Sequence, residues 1–238
     1  MKKLKVLVAC EESQRVCTEF RKLGHEAYSA DIQEPSGGHP EWHILGDVLK
    51  VLKGGHFETM DGSEHCVEKW DLIIAFPPCT YLTTVATKHH SLKSTPLNNI
   101  NDRTLKRIDA ELFFMRFANA CCEHIAIENP VGVMNTVYRK PNQIISPYMF
   151  AKSETDTENY VTKATCLWLK NLPTLETNNL SKPDNAAIYG RYANGKAKCW
   201  VEMQTGNRSK VRSKTFPGIA AAMAKQWSEY IIQECEQP

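Results

Sequence analysis

Short apolar runs alternate with amphipathic segments along the first half of the chain. Residues 3–10 are rich in β-branched side chains and predict a buried strand, and residues 13–24 carry apolar side chains at helical spacing before Gly24. The same patterns predict strands over 25–32, 71–76 and 124–130, and a helix over 103–121 with helical spacing at Leu105, Ile108, Leu112, Met115 and Phe117. Strands that alternate with helices favour an α/β fold with a mostly parallel, doubly wound sheet.

The second half of the chain is less regular. Residues 164–173 predict one more strand, and the C-terminal segment predicts an Ala-rich helix after Pro217. Polar loops are predicted over 53–70, over 83–101, which we expect to act as a lid, and over 183–198. We expect one domain over residues 1–238, with 131–207 as a reduced substrate-facing region and 208–238 as a C-terminal helix that packs back on the N-terminal half.

Composition and net charge exclude few classes of function. With 29 basic and 27 acidic residues the net charge is +2, so any contact with nucleic acid would depend on local clusters of charge. The nine cysteines form no CxxC pair and the N terminus lacks the pattern of a signal peptide, which predicts reduced thiols in the cytoplasm and no metal site. No apolar stretch is long enough to span a bilayer, so no membrane contact is expected.

Polar side chains follow the predicted strands where a doubly wound sheet binds ligands. Asp31, Asp47, Cys79 and Glu128 each end or closely follow a strand, so the fold would gather them along one rim. Asp31, after the second strand, is placed to accept hydrogen bonds from the hydroxyls of a ribose. Asp47 could accept from an adenine amino group or, equally, cap a helix.

Two of these residues have the chemistry of catalysis. Cys79 comes directly after Pro77-Pro78, and such a turn is a poor place to bury a packing residue, which favours a nucleophilic thiol. Glu128 ends a buried strand, where an unpaired carboxylate would be costly. Its partner is either a basic side chain, in a structural ion pair, or the ring nitrogen and amine of an amino-pyrimidine.

The segments around these residues resemble the DNA (cytosine-5) methyltransferase family. "AFPPCTYLT" is similar to the Pro-Cys nucleophile loop of that family, and "LFFMRFANACCEHIAIENPVGVMN" to its helix and its strand ending in Glu-Asn. "YSADI" and "GDV" resemble its weaker cofactor motifs, and "RSKTFPGIAAAMAKQW" its terminal motif. The resemblance implies a Rossmann-like fold dependent on S-adenosylmethionine and methyl transfer to C5 of cytosine in DNA, as in short phage or prophage members without an obvious target-recognition domain.

The resemblance also assigns roles to residues of this chain. It implies Cys79 and Glu128 as catalytic residues. It places the cofactor on Cys10, Glu12, Ser13, Asp31, Ile32, Asp47, Val48 and Pro78, and the substrate on Asn129 and on Lys163 or Thr165. Arg212 is a candidate on other grounds, because the basic run from Arg208 to Lys214 could bind phosphates or, alternatively, form a solvated loop. The chain departs from the family at "VACEESQRV", which lacks the glycines of the first motif. Two alternatives follow: modification of a cytosine mononucleotide such as dCMP, or a degenerate fold that binds nucleic acid or protein.

Overall fold

The computed structural model describes residues 2–84, 97–205 and 208–236. A seven-stranded sheet with the order β3-β2-β1-β6-β7-β9-β8 forms the centre of the molecule, and β4 and β5 form a separate hairpin. The strands are β1 (Lys5–Ala9), β2 (Glu26–Asp31), β3 (His43–Leu45), β4 (Gly55–Glu58), β5 (Glu64–Val67), β6 (Leu72–Ala75), β7 (His124–Pro130), β8 (Gln143–Ile145) and β9 (Thr165–Lys170).

Helices cover both faces of the sheet. The α-helices are α1 (Arg15–Lys22), α2 (Leu97–Ala118), α3 (Met134–Val137), α4 (Asn185–Tyr189), α5 (Trp200–Met203), α6 (Arg208–Ser213) and α7 (Pro217–Glu236). Short 3₁₀ helices span Pro40–Trp42, Val48–Lys50 and Pro147–Phe150. The protein is therefore a mixed α/β structure compatible with a Rossmann-like fold.

The sheet is parallel except around β9. β1 pairs in parallel with β2 and with β6, β2 with β3, and β6 with β7, whereas β9 runs antiparallel to both β7 and β8. The mostly parallel sheet predicted from the sequence is thus confirmed. The chain extends from β1 in one direction through β2 and β3 and then crosses back to β6, so the topological switch lies between β1 and β6.

Both faces of the sheet are buried, as parallel sheets require. In β1, Val6 and Val8 belong to one core cluster and Leu7 and Ala9 to the other, because successive side chains point to opposite faces. The first cluster joins the sheet to α1 and α7, and the second joins it to α2 and the β4–β5 hairpin. Helix α7 packs against α1, and buried Trp227 donates a hydrogen bond from Nε1 to the carbonyl oxygen of Pro173.

The buried face of α2 differs from the predicted one. Leu105, Ile108 and Leu112 are exposed, by 64%, 46% and 59%, whereas Phe114 and Phe117 are fully buried. Phe114 packs edge-on against Trp168 of β9, with 5.2 Å between the ring centroids. The sequence carries two apolar stripes on this helix, and the aromatic stripe packs on the sheet because it buries the larger area.

Three predicted loops contain regular structure. Residues 53–70 form the β4–β5 hairpin, whose Phe57 packs edge-on against Tyr28 with ring centroids 5.0 Å apart. Helix α2 begins at Leu97, inside the predicted polar segment, and residues 85–96 of the proposed lid lie outside the described residues. The predicted loop 183–198 contains α4. Among the described residues, no helix has both the length and the apolar character needed to cross a bilayer.

Candidate active site

A cavity of about 690 Å³ opens at the switch between β1 and β6. All eight residues predicted to bind a cofactor line its wall: Cys10, Glu12, Ser13, Asp31, Ile32, Asp47, Val48 and Pro78. Cys79 lines the same cavity. The position is the one at which open α/β sheets bind ligands, outside the carboxyl ends of the strands.

The loop after β1 is held by side chains in place of glycines. Cys10 and Gln14 both have positive φ, 59° and 56°, in the left-handed region that glycine occupies most readily. Gln14 stabilises the loop through two hydrogen bonds: its Nε2 donates to the carbonyl oxygen of His39 at 2.8 Å, and its Oε1 accepts from the N–H of His39 at 3.1 Å. The loop over 33–43 is therefore fastened to this wall of the cavity.

Glu11 caps helix α1 from the same loop. Its two carboxylate oxygens accept hydrogen bonds from the N–H groups of Val16 and Cys17, at 2.7 and 3.2 Å. Burial raises the pKa of Glu11 to about 7, although these backbone donors oppose the shift. The carboxyl group therefore stabilises the backbone that carries Glu12 and Ser13 into the cavity wall.

Asp31 and Asp47 lie on the opposite wall and are both anchored by backbone donors. Asp31 Oδ1 accepts from the N–H of Gln33 at 2.9 Å, and Asp47 Oδ1 accepts from the N–H of Leu49 at 3.0 Å. Asp47 thus caps the 3₁₀ helix Val48–Lys50, as the second interpretation of this residue required, and it lines the cavity as well. Burial raises the pKa of Cys10, and the charges of Asp31 and Asp47 raise it further. The thiolate form of Cys10 is therefore disfavoured.

Cys79 is half-buried in the turn after β6. Its carbonyl oxygen accepts hydrogen bonds from the N–H groups of Leu82 and Thr83, at 3.0 and 3.2 Å, which closes the turn. Burial raises the pKa of Cys79, and the Glu128 carboxylate raises it further, while the charges of Lys163 and Arg212 lower it. The thiol, the carboxylate and two cations are thus close enough to act on one another.

Glu128 lines a second, smaller cavity of about 20 Å³, together with Lys163 and Thr165. Ser213 and Thr215 line both cavities, so the two adjoin. The Oγ1 of Thr165 donates a hydrogen bond to Glu128 Oε1. Within the described residues no Lys, Arg or His forms an ion pair with Glu128, so the partner of this carboxylate is a hydroxyl group.

Asn129 contacts neither cavity. Its side chain is buried, and its Nδ2 donates to the carbonyl oxygen of Pro77 at 2.7 Å. The bond joins the end of β7 to the turn that carries Cys79. Asn129 therefore positions the nucleophile loop.

Of the predicted substrate residues Lys163 and Arg212, only Lys163 lines the small cavity, and Arg212 lines neither cavity. Lys163 Nζ donates to the carbonyl oxygen of Arg212 at 2.7 Å and lies 5.7 Å from the ring centroid of Phe216. The Arg212 side chain is exposed. This contact fastens α6 beside the Cys79–Glu128 pair.

Sequence reasoning missed two parts of the cavity wall. Asp109, Ala110 and Phe113 of α2 line it, as do Lys210, Ser213 and Thr215 near the C terminus. The spacing of Ala110 and Phe113 is compatible with one face of the helix, but the sequence does not distinguish this face from the stripe of Leu105, Ile108 and Leu112. The contribution of residues 210–215 had no local signal, because it depends on how the chain returns to β1.

Comparison with models of known protein families finds no match to this chain, and comparison with curated proteins finds none either. No group of three or more His, Cys, Asp or Glu side chains is placed to hold a metal ion within residues 2–84, 97–205 and 208–236.

Proposed function

We propose that this protein transfers a methyl group from S-adenosylmethionine to C5 of cytosine in DNA. The observation that carries the proposal is the position of Cys79. Its thiol lines the cavity of the predicted cofactor residues. The negative charge of Glu128, about fifty residues away in the sequence, also raises the pKa of this thiol. A nucleophile, a carboxyl group and a cofactor-sized cavity at one switch point suit this reaction.

The residues of the larger cavity fit the proposed cofactor. A volume of about 690 Å³ is of the size that small-molecule sites commonly have. Asp31 and Asp47 supply acceptors for hydroxyl and amino groups, and Ile32, Val48 and Phe113 supply apolar surface for a flat ring. The buried carboxylate of Glu12 has no hydrogen-bond partner among the described residues, which suits a ligand that carries donors or positive charge. When bound, S-adenosylmethionine supplies the electrophilic methyl group.

The chain's own residues would activate the base. The Cys79 thiolate adds to C6 of cytosine, while the protonated carboxyl group of Glu128 gives its proton to N3 and accepts a hydrogen bond from the exocyclic amine, so that electron density moves to C5. The positive charges of Lys163 and Arg212 lower the pKa of Cys79 and so partly offset the rise caused by burial and by Glu128. After C5 is methylated, a base removes the C5 proton, and the bond between sulfur and C6 breaks.

A cytosine base can reach Glu128 only after a local rearrangement of the protein. The cavity at Glu128, about 20 Å³, has room for a water molecule but not for a pyrimidine ring. Ser213, Thr215 and Phe216, which lie from the end of α6 to the start of α7, form part of its wall. Helix α6 and the residue after it carry Lys210, Arg212 and Lys214, whose charges can bind the phosphates of DNA. Binding of the DNA phosphates and opening of the cavity at Glu128 would then both involve α6 and the residues that follow it.

One observation favours a cytosine mononucleotide as an alternative substrate. Residues 143–145 and 165–170, within the predicted substrate-facing region, are strands β8 and β9 of the central sheet. Residues 131–142, 146–164 and 171–205 are therefore left to recognise a substrate outside these strands. A small substrate needs less contact surface than a duplex does.

Incubation with labelled S-adenosylmethionine and either duplex DNA or dCMP, followed by nucleoside analysis, tests the proposal and separates the two substrates. The proposal predicts label in 5-methyldeoxycytidine from the DNA. Label in the dCMP sample alone would support the mononucleotide. Label at an exocyclic amine, or in neither sample, would contradict the proposed reaction.

A further inference from the structure

Glu12 is a buried carboxylate that the fold does not satisfy. Its side chain is 7% exposed, and within the described residues neither of its oxygens has a hydrogen-bond partner. Burying a carboxylate without donors is expensive, so such a group usually has a ligand or a catalytic role. The neighbouring Glu11 differs, because both of its oxygens accept from backbone N–H groups of α1.

Lys210 approaches Glu12 from the far end of the chain. Its Nζ lies 3.7 Å from Glu12 Oε2, and its side chain is 42% exposed. Both residues line the large cavity. At this separation the ion pair provides no hydrogen bond, so the Glu12 carboxylate retains capacity for further donors.

The other basic group near Glu12 is already occupied. His43 is buried, and its ring nitrogens bond the Ser29 hydroxyl at 2.9 Å and the carbonyl oxygen of Gln33 at 3.0 Å. The Glu12 carboxylate therefore lacks donors on the side of the cavity. A ligand with an ammonium group would supply three donors and a positive charge at this point.

We infer that Glu12 and Lys210 together bind the zwitterionic amino-acid end of the ligand, Glu12 taking the ammonium group and Lys210 the carboxylate. The inference rests on the proposed function, because S-adenosylmethionine ends in an α-amino acid. It gives the "VACEESQRV" segment a binding mode that needs no glycine. A charged pair recognises the amino-acid end, where glycine-rich loops rely on close approach of the backbone. It also ties α6, which carries Lys210, to the bound ligand.

Recognition of the amino-acid end can be measured separately with two ligands. Both contain adenosine and a thioether, and they differ in the amino-acid end. S-adenosylhomocysteine carries the amino-acid end, and 5′-methylthioadenosine lacks it. Calorimetry should measure both with the wild type, with Glu12→Gln and with Lys210→Met. Glu34→Gln and Lys225→Met are the matched controls, because these exposed side chains line neither cavity. Thermal unfolding checks that each variant is folded. If Glu12→Gln does not fold, Lys210→Met can be measured instead, because its position is half-exposed.

The inference predicts that the wild type binds S-adenosylhomocysteine at least tenfold more tightly than 5′-methylthioadenosine, roughly as expected for lost charge-assisted bonds. In each variant the affinity for S-adenosylhomocysteine should fall roughly tenfold, and the affinity for 5′-methylthioadenosine should fall less than about twofold. Equal losses for both ligands, or none for either, would overturn the inference while leaving the cofactor assignment intact. Failure of the wild type to bind either ligand would overturn that assignment as well.

Discussion

Thr165 Oγ1 donates a hydrogen bond to Glu128 Oε1 across the antiparallel pair of β7 and β9. Thr165 is buried, whereas Glu128 is half-buried and lines the small cavity. A hydroxyl partner fixes the direction of the carboxyl group and leaves its second oxygen for another ligand. In the proposed reaction Thr165 therefore positions Glu128.

Substitution of Thr165 tests this positioning role. Thr165→Val keeps the shape of the side chain but removes the donor, and we expect kcat for methyl transfer to fall roughly tenfold, as for loss of a hydrogen bond to a charged group. Thr165→Ser restores the hydroxyl and should recover most of the rate. Cofactor affinity, measured by calorimetry, should stay the same in both variants. Equal rates for the Val and Ser variants would show that the bond does not support catalysis.

The pH dependence of Cys79 alkylation tests the charge arrangement around the thiol. The Glu128 carboxylate raises the pKa of Cys79 and the Lys163 ammonium lowers it. Glu128→Gln should therefore shift the alkylation profile to lower pH, and Lys163→Met should shift it to higher pH, because only the thiolate reacts. Peptide mass spectrometry after iodoacetamide treatment distinguishes Cys79 from the other eight cysteines.

The exposed Cys121 provides an internal control for that experiment, since its profile should be the same in all three proteins. Shifts of Cys79 in the same direction for both variants would contradict the proposed arrangement. Glu128→Gln should in addition abolish methyl transfer while leaving the binding of S-adenosylmethionine unchanged, because Glu128 lines only the smaller cavity.

Glu11 links stability to pH. Burial raises its folded-state pKa from 4.5 to about 7, so between these values the folded protein holds a proton that the unfolded chain releases. The contribution of Glu11 to the free energy of unfolding is therefore most favourable below pH 4.5 and falls as the pH rises towards 7. The full change is on the order of 3 kcal/mol.

Urea denaturation of the wild type and of Glu11→Gln across this pH window measures that contribution. We expect the difference in stability between the two proteins to change in the direction given above and to level off beyond pH 7. Glu34 is exposed, so the free energy of unfolding of Glu34→Gln should match that of the wild type at every pH. A difference between wild type and Glu11→Gln that is independent of pH would mean that Glu11 is ionised at no cost in the folded protein.

Gly132 lets the nucleophile loop pack against the end of β7. A Cβ atom at this position would lie 1.9 Å from the carbonyl oxygen of Leu82, a backbone atom that cannot move without shifting the turn after Cys79. Gly132→Ala should therefore reduce methyl transfer at least tenfold through displacement of the turn. It should also lower the melting temperature, whereas Val131→Ala, next to it, should change neither property by much. Wild-type activity in Gly132→Ala would show that the position of the turn is unimportant.

The sequence was informative where local pattern determines structure. The short apolar runs predicted β1, β2, β6 and β7 within a residue or two, and the end of β2 and the turn after β6 carry Asp31 and Cys79 to one cavity. The buried face of α2 could not be predicted, because Leu105 and Phe114 lie on competing apolar stripes and only the packing of the sheet chooses between them. The Glu12–Lys210 contact joins residues 198 positions apart, and no local pattern encodes it.

The covalent step is tested most directly with duplex DNA in which the cytosines carry fluorine at C5. After attack at C6 and methylation, no proton can leave C5, so the bond between sulfur and C6 cannot break and the protein stays attached to the DNA. We predict a complex that survives denaturation, requires S-adenosylmethionine and maps to the peptide of Cys79 by mass spectrometry, with no complex for Cys79→Ala. Absence of the complex under conditions in which methyl transfer to ordinary cytosine occurs, or attachment through another cysteine, would contradict the proposed mechanism.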